Sequence, residues 1–212
     1  MTSNIEVFTQ SSIRIKGRIG TIYVDPFNMS TEPKDADFIF ITHDHYDHYS
    51  PEDIEKLISK DSVIVVPKKL SATVKKEIIG FDKIISVSPG ELQEVNGLQF
   101  ETVASYNVNK SFHQKSAGWV GYILNVDGKR IYIAGDTDAT DEAKAVKCDV
   151  ALVPIGGTFT MDAKEAAKLI NIIQPEIAIP THYGSIVGKP KDADIFEYNV
   201  NETIKVETKI KF

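Results

Sequence analysis

The chain's length, composition and charge limit what it can be. Its 212 residues are 42% hydrophobic and 25% charged, an ordinary globular composition, and we expect one domain over residues 1–212. The formal net charge of −6 argues against a broad nucleic-acid footprint. A single cysteine, Cys148, excludes an internal disulfide framework. With no signal peptide and no apolar run near the roughly 20 residues that span a bilayer, we expect a cytoplasmic protein without a membrane span.

The first half of the chain reads as strands followed by strand–helix alternation. Four β-rich runs come before any helical period: "IEVF", "SIRIKG", "GTIYVDPF" and "ADFIFITH". Ser50 then resembles a helix N-cap, with Pro51 at the first helical position. Apolar residues three and four apart follow, at Ile54, Leu57 and Ile58. Further along, "SVIVVP" and "KIISVSPG" predict strands on either side of an amphipathic helix in "KKLSATVKKEII".

The second half repeats this order. Asn96-Gly97 and Asp127-Gly128 each join two β-rich runs, which predicts two hairpins. Strand "VALVP", helix "DAKEAAKLINII", strand "EIAIP" and a short helix in "DADIFEYN" follow, and Asp162 predicts a capping box for the first of these helices. Both halves run from a β-block to β/α alternation. We therefore expect an α/β protein with two mixed β-sheets packed face to face and helices outside, a four-layer αββα sandwich.

Residues 38–57, "FIFITHDHYDHYSPEDIEKL", concentrate metal-ligand side chains directly after an apolar run. Histidine and carboxylate groups are the usual ligands of borderline ions such as zinc. Because residues i and i+2 of an extended segment project to the same side, His43 and His45 can point at one ion. Asp47 and His48, in the turn before the helix, can point at a neighbouring ion. The alternative is a solvated polar turn, which so many ligand types in six positions disfavour.

The other candidate ligands lie where strands end and loops begin. His113 is in the polar stretch "NVNKSFHQKSAGW", Asp136 ends "RIYIAGD" and His182 follows "IAIPT". Two ions about 3.5 to 4 Å apart need a bridging ligand, and the Asp136 carboxylate can supply it. His113 would complete the first site and His182 the second. Taken alone, each of these residues could instead be an ordinary loop or strand-end residue.

These motifs together resemble the metallo-β-lactamase-fold hydrolase superfamily, whose signature is His-x-His-x-Asp-His. "THDHYDH", the later His113, "GDTD" and "PTHYG" occur in the superfamily's order, and the resemblance runs from "IYVDPF" to "IPTHYG". Longer stretches, such as "YNVNKSFHQKSAGWVGYIL" and "VPIGGTFTMDAKEAA", resemble a small prokaryotic subgroup of predicted metal-dependent hydrolases. That subgroup is similar to the cores of N-acyl phosphatidylethanolamine phospholipase D and ascorbate-6-phosphate lactonases.

The resemblance implies a role for individual residues. One metal would be held by His43, His45 and His113 and the other by Asp47, His48 and His182, with Asp136 shared between them. Asp25 in "YVDPF" would lie beneath the ligands and orient them. Tyr46, Thr158 and Tyr183 are candidates for contact with substrate. His45 stands where flavodiiron oxygen reductases carry glutamate, which disfavours a redox role.

The expected activity is hydrolysis. Two divalent ions, best matched by zinc, with manganese, iron or nickel as alternatives, would bridge a hydroxide that cleaves an ester, lactone or phosphodiester. Asp47 would bind one metal and accept a hydrogen bond from that hydroxide. The expected partner is a small-molecule substrate, without nucleic acid. Two alternatives remain: a metal-binding sensor or scaffold without turnover, and a nuclease, which the acidic net charge disfavours.

Overall fold

The structure is a computed structural model that describes residues 2–212. Its first sheet has six strands, in spatial order as in sequence. These are β1 (Ile5–Val7), β2 (Ile13–Gly17), β3 (Gly20–Val24), β4 (Ala36–Phe40), β5 (Ile58–Pro67) and β6 (Ile84–Val87). The pairs β1–β2 and β2–β3 are antiparallel, and β3 to β6 are parallel. The sheet is therefore mixed, as the sequence predicted.

The second sheet has seven strands and is also mixed. They are β7 (Leu92–Val95), β8 (Leu98–Ala104), β9 (Val120–Val126), β10 (Lys129–Ile133), β11 (Val150–Pro154), β12 (Ile177–Thr181) and β13 (Lys205–Val206). Their spatial order is β13-β12-β11-β10-β9-β8-β7, with β10 to β13 parallel and the two predicted hairpins antiparallel. Asn96 and Asp127 have the positive φ that such two-residue turns require.

Five α-helices and a 3₁₀ turn connect the strands in residues 2–212. They are α1 (Pro51–Leu57), α2 (Ser71–Glu77), α3 (Asp141–Lys144), α4 (Ala163–Ile173), α5 (Asp192–Asn199) and the turn Lys115–Ala117. Ser50 caps α1 and a capping box begins α4, as predicted. Ile58 was expected on the face of α1, but it begins β5. None of the described helices is long and apolar enough to cross a bilayer.

Alternate residues of the first sheet pack on its two sides. Ile22 and Val24 belong to the core that the two sheets share, whereas Tyr23 packs in a second cluster with residues of α1 and α2. This period of two is what a strand buried on both faces requires. On the other side of the molecule, α4 packs on β11. The order of layers is thus helix, sheet, sheet, helix, which confirms the predicted αββα class.

The strand directions bring the candidate ligands to one edge of the sandwich. Strands β3 and β4 are parallel, and their carboxyl ends lead into Asp25 and His43. Strands β8, β10 and β12 share one direction, because β8 and β10 are each antiparallel to β9 and β10 to β12 are parallel. Their carboxyl ends lead into His113, Asp136 and His182.

Candidate metal centre

The seven residues predicted to bind metal converge on one small region. Their ligand atoms form three groups in which all atoms lie within 4.8 Å of one another: His43–His45–His113, His43–His48–Asp136 and Asp47–His48–His182. All are buried except His45, which is half-buried. Asp136 lies at the centre, with Oδ2 3.4 Å from His113 Nε2 and 3.3 Å from His182 Nε2, and Oδ1 3.3 Å from His48 Nε2.

Four of the buried ligand atoms lack partners within residues 2–212. His43 Nε2, His48 Nε2, His113 Nε2 and Asp136 Oδ1 are all buried without a hydrogen bond. Buried polar atoms are almost always satisfied, so this many orphaned atoms facing one another require an explanation. Imidazole nitrogens and carboxylate oxygens are suitable ligands for zinc and similar divalent ions. The residues therefore fit bound metal.

Asp25 orients two of the histidines from beneath. Its Oδ2 lies 2.7 Å from His48 Nδ1, and it accepts a 2.6 Å hydrogen bond from the Thr42 hydroxyl. The Thr42 oxygen in turn lies 2.9 Å from His43 Nδ1 and can accept its proton. In this arrangement each Nδ1 can keep its proton directed at an oxygen, which leaves Nε2 of both rings as the atom that would bind a metal. This is the position predicted for Asp25 from the sequence.

Asn107 orients His113 in the same way, although sequence reasoning missed it. Its Oδ1 accepts a hydrogen bond from His113 N at 3.0 Å and lies 3.1 Å from His113 Nδ1. Its Nδ2 donates to Phe159 O at 2.9 Å, which fixes the orientation of the amide. The signal available in the sequence was weak, because an asparagine in a polar loop is ordinarily a turn residue.

Gln10 is a second residue that the sequence did not reveal. It is fully buried, and its carbonyl oxygen accepts a 2.8 Å hydrogen bond from His182 N. Its side-chain Nε2 lies 3.4 Å from Asp47 Oδ2, which is itself 3.2 Å from His182 Nε2. The turn between β1 and β2 thus supports two of the residues of the second candidate site, Asp47 and His182. No motif surrounds Gln10, and only the fold brings it here.

Burial and mutual charge perturb the site strongly. Burial, followed by the charge of neighbouring His48, holds the pKa of His43 well below its usual value, so its imidazole is neutral and able to bind metal. Burial alone would lower the pKa of His48, but the carboxylates of Asp136 and Asp25 raise it well above its usual value. Burial raises the pKa of Asp136, but the charges of His182 and His48 lower it by more, so that the net pKa lies well below the usual range. Asp136 is therefore ionised.

The backbone at the site is held in unusual conformations. Asp25 and His182, each directly after a strand, have φ of 46° and 55° in the left-handed region that non-glycine residues rarely occupy. Such strain persists only where surrounding contacts impose it, and it is common at functional sites. Gly135 has φ of 64°, and a Cβ there would lie 3.1 Å from Thr42 Cβ. Its lack of a side chain lets the end of β10 approach the first sheet.

The three candidate substrate contacts differ in position. Tyr46 is 65% exposed beside the ligands, and Thr158 is exposed on the loop after β11. Tyr183 is fully buried, packs against Phe212, and has a hydroxyl without a partner in residues 2–212. Burial raises the pKa of Tyr183 to about 12. A side chain with no exposed surface cannot contact a substrate in this conformation, so we do not retain Tyr183 for that role.

The fold and this ligand arrangement agree with a match to a known family. The model of the β-lactamase superfamily domain matches residues 4–182. The chain therefore belongs to the β-lactamase superfamily. Among curated relatives, a UPF0173 metal-dependent hydrolase of Methanosphaera stadtmanae is 30% identical and covers 94% of this chain and 92% of its own length. One from Thermoplasma acidophilum is 34% identical over 77% of this chain and 76% of its own length. These relatives confirm the predicted class, a metal-dependent hydrolase.

Solved structures support the same fold. A metal-dependent hydrolase of Parabacteroides distasonis has a TM-score of 0.79 at 28% identity, covering 97% of this chain and 91% of its own. A metallo hydrolase of Ignicoccus hospitalis has a TM-score of 0.77 at 22% identity, and the match covers 96% of this chain and 93% of the other. The resemblance to the metallo-β-lactamase fold stated from the sequence is thereby confirmed.

Proposed function

We propose that this protein hydrolyses an ester, lactone or phosphodiester of a small molecule, using two divalent metal ions, in a reducing compartment such as the cytoplasm. The observation that carries the proposal is the set of three ligand groups, which overlap through His43 and His48 and have Asp136 in the middle group, with buried atoms that have no partner in residues 2–212. His43, His45 and His113 would hold one ion and Asp47, His48 and His182 the other, with Asp136 between them.

The donor set favours zinc. Imidazole and carboxylate ligands suit zinc, although manganese, iron and nickel accept the same atoms. Bound at two adjacent positions, such ions supply an acidified water as nucleophile and positive charge for the oxygen that becomes negative during hydrolysis. Asp25, Asn107 and Gln10 contribute by fixing the orientation of the ligands before substrate arrives.

Asp47 is the proposed catalytic residue. Its Oδ2 faces His182 and Gln10, while Oδ1 makes no hydrogen bond within residues 2–212. Burial alone raises the pKa of Asp47, but the hydrogen bond from His182 and the charge of His48 lower it below the usual value, so the carboxylate is ionised. Oδ1 can therefore accept a hydrogen bond from the attacking water and orient its lone pair toward the substrate.

The first test concerns metal content. We expect up to two divalent ions per chain when the protein is purified without chelator and offered zinc or manganese, because the three ligand groups overlap only through His43 and His48 and keep separate ligands at either end. Elemental analysis of the folded protein measures this. A folded protein that stays free of metal would remove the basis of the proposal.

The second test separates an enzyme from a sensor. The metal-loaded protein is screened against lactones, esters and phosphodiesters, and Asp47→Asn is then compared with wild type at equal metal content. We expect turnover by Asp47→Asn to be lower than that of wild type by a factor on the order of a hundred or more, the scale for the loss of a positioned proton acceptor. Asp44→Asn is the matched control, because Asp44 is exposed and belongs to none of the three ligand groups. Equal turnover of all three proteins would refute the role of Asp47, and no turnover of any substrate would favour the sensor.

A further inference from the structure

Exposed apolar side chains concentrate around the candidate metal centre. Of the ten large hydrophobic side chains exposed in residues 2–212, four lie on the segments that carry the ligands: Tyr46, Phe112 and Ile186, and Val108, which instead lines a cavity beside α4 with Leu169 and Ile172. These segments, residues 43–48, 107–113 and 182–186, hold only 18 residues between them. Single exposed apolar residues are common, but a group of them around one site indicates a surface for an apolar ligand.

Contacts fix these side chains beside the site. Phe112 precedes His113, and its ring meets Phe159 edge to face at 4.8 Å, which joins the His113 loop to the loop after β11. Tyr46 meets the ring of Phe27 in the same manner at 5.9 Å. Ile186 is anchored through its backbone N–H, which donates to Gln10 Oε1 at 3.3 Å. The side chain of Gln10 also reaches Asp47.

Trp119 adds apolar surface directly against the ligands. Its ring centroid lies 5.1 Å from that of His43, 4.9 Å from His45 and 5.4 Å from His113, and the side chain is half-buried. Trp119 is the single tryptophan of the chain. A ligand covering the first candidate metal position would therefore change the environment of the protein's only indole.

The charged residues of the His113 loop are already paired. Lys110 Nζ lies 2.8 Å from Asp138 Oδ1, and Lys115 Nζ lies 2.6 Å from Glu142 Oε1. This side of the site thus presents apolar surface and no free lysine from that loop. An uncharged acyl chain matches such a surface better than a second anionic group does.

We infer that the substrate is an ester or lactone whose acyl chain is apolar and is covered by Phe112, Ile186 and Tyr46 beside the metal centre. This inference rests on the proposed function. In the reaction, the acyl C–O bond breaks, water supplies the hydroxyl group to the acyl carbon, and the leaving oxygen takes the remaining proton. The products are a carboxylic acid with an apolar chain and an alcohol, which are one molecule when a lactone opens.

The product acid allows a test that does not depend on turnover. Zinc-loaded protein is titrated with butyrate, hexanoate, octanoate and decanoate below their micelle concentrations, and Trp119 fluorescence is recorded. We expect Kd to fall about two- to fourfold per added methylene, as expected for partial to full burial of the chain. Phe112→Ser and Ile186→Ser should each weaken this dependence. Ile79→Ser is the control, because Ile79 is 88% exposed and lies between α2 and β6.

Hydrolysis of matched esters completes the test. We expect kcat/KM to be at least tenfold higher for an octanoyl than for a butyryl ester, with the difference reduced in Phe112→Ser and kept in Ile79→Ser. Equal kcat/KM for both chain lengths, or a Kd independent of chain length, would overturn the inference while leaving the proposed function intact. Binding that tightens with chain length in a protein that hydrolyses no ester or lactone would overturn the inference about the substrate, and the proposed function would be refuted as well only if phosphodiesters were not hydrolysed either. Chain-independent Kd together with binding to phosphatidylcholine vesicles would point to a membrane surface instead.

Discussion

Asp25 determines which nitrogen of His48 can bind a metal. In Asp25→Asn the amide NH₂ can face His48 Nδ1, which would move the imidazole proton to Nε2 and remove the free lone pair. We expect affinity for metal at the second site to fall by roughly ten- to a hundredfold, the scale found for residues that orient ligands. Competition titration with a chromophoric zinc chelator measures the zinc affinity of both sites.

Asp53 provides the control for this substitution. It is also a buried aspartate, accepting hydrogen bonds from Asn28 N and Met29 N at 2.9 Å, but it contacts none of the candidate ligands. Asp53→Asn should lower the free energy of unfolding and leave metal affinity unchanged. If both variants lost metal equally, the effect of Asp25 would be general destabilisation and not control of the His48 proton.

Residues differ in how far the sequence could predict them. The cluster from His43 to His48 is local, so spacing alone predicts convergence, and a resemblance to known enzymes predicts Asp25. Gln10 has no such signal, because its role depends on the β1–β2 turn meeting His182 across the molecule. Tyr183 shows the same limit, because the fold and not a local pattern buries its ring beside Phe212.

At the scale of single elements, the capping box of α4 is a stability device separate from the site. Asp162 accepts hydrogen bonds from Lys164 N and Glu165 N, and Glu165 accepts one from Asp162 N. Asp162→Ala should therefore lower the free energy of unfolding by about 0.5 to 2 kcal/mol. Urea denaturation measures the change, and Lys164→Ala, an exposed position in the same turn, is the control. A loss of metal affinity in Asp162→Ala would show that the capping box and the metal centre are not independent.

Elements with a clear period were the ones that could be predicted. Strands β1 and β8 alternate buried and more exposed residues, β11 is a continuous apolar run bounded by other structure, and α4 carries an apolar stripe, so each follows from its sequence pattern. The four residues of α3 and the two of β13 are too short to show a period, and only tertiary contacts define them. Ile58 fits the apolar face of α1, but pairing with Ala36 draws it into β5. Pairing overrides helical spacing at that boundary.

At the scale of the whole molecule, the apolar core does not depend on the metal centre. One cluster lies between the sheets and a second lies under α1 and α2, and both consist of hydrophobic residues. We therefore expect the protein treated with chelator to keep a cooperative thermal transition. Added zinc should raise Tm, since about 100 times Kd of a ligand bound only by the folded state contributes about 2.7 kcal/mol. Loss of the transition without metal would mean that the metals are structural.

The layered architecture was predictable because each half repeats the same order of elements, and strand direction then placed the ligand residues at one edge. The proposed apolar surface beside the metal centre was not predictable, because Tyr46, Phe112 and Ile186 are far apart in sequence and only the folded chain defines their exposure. Phe112 is 49% exposed although its neighbour His113 is buried.

Each proposed ion takes ligands from both sheets: His43, His45, Asp47 and His48 follow β4, whereas His113 and His182 follow β8 and β12. A bound ion would therefore act as a cross-link between the two halves, in a chain whose single cysteine cannot form one internally. Unlike a disulfide, such a link opens by ligand exchange. The rate at which metal leaves would then limit how fast the sheets separate, which makes metal exchange a determinant of the protein's lifetime as well as of its chemistry.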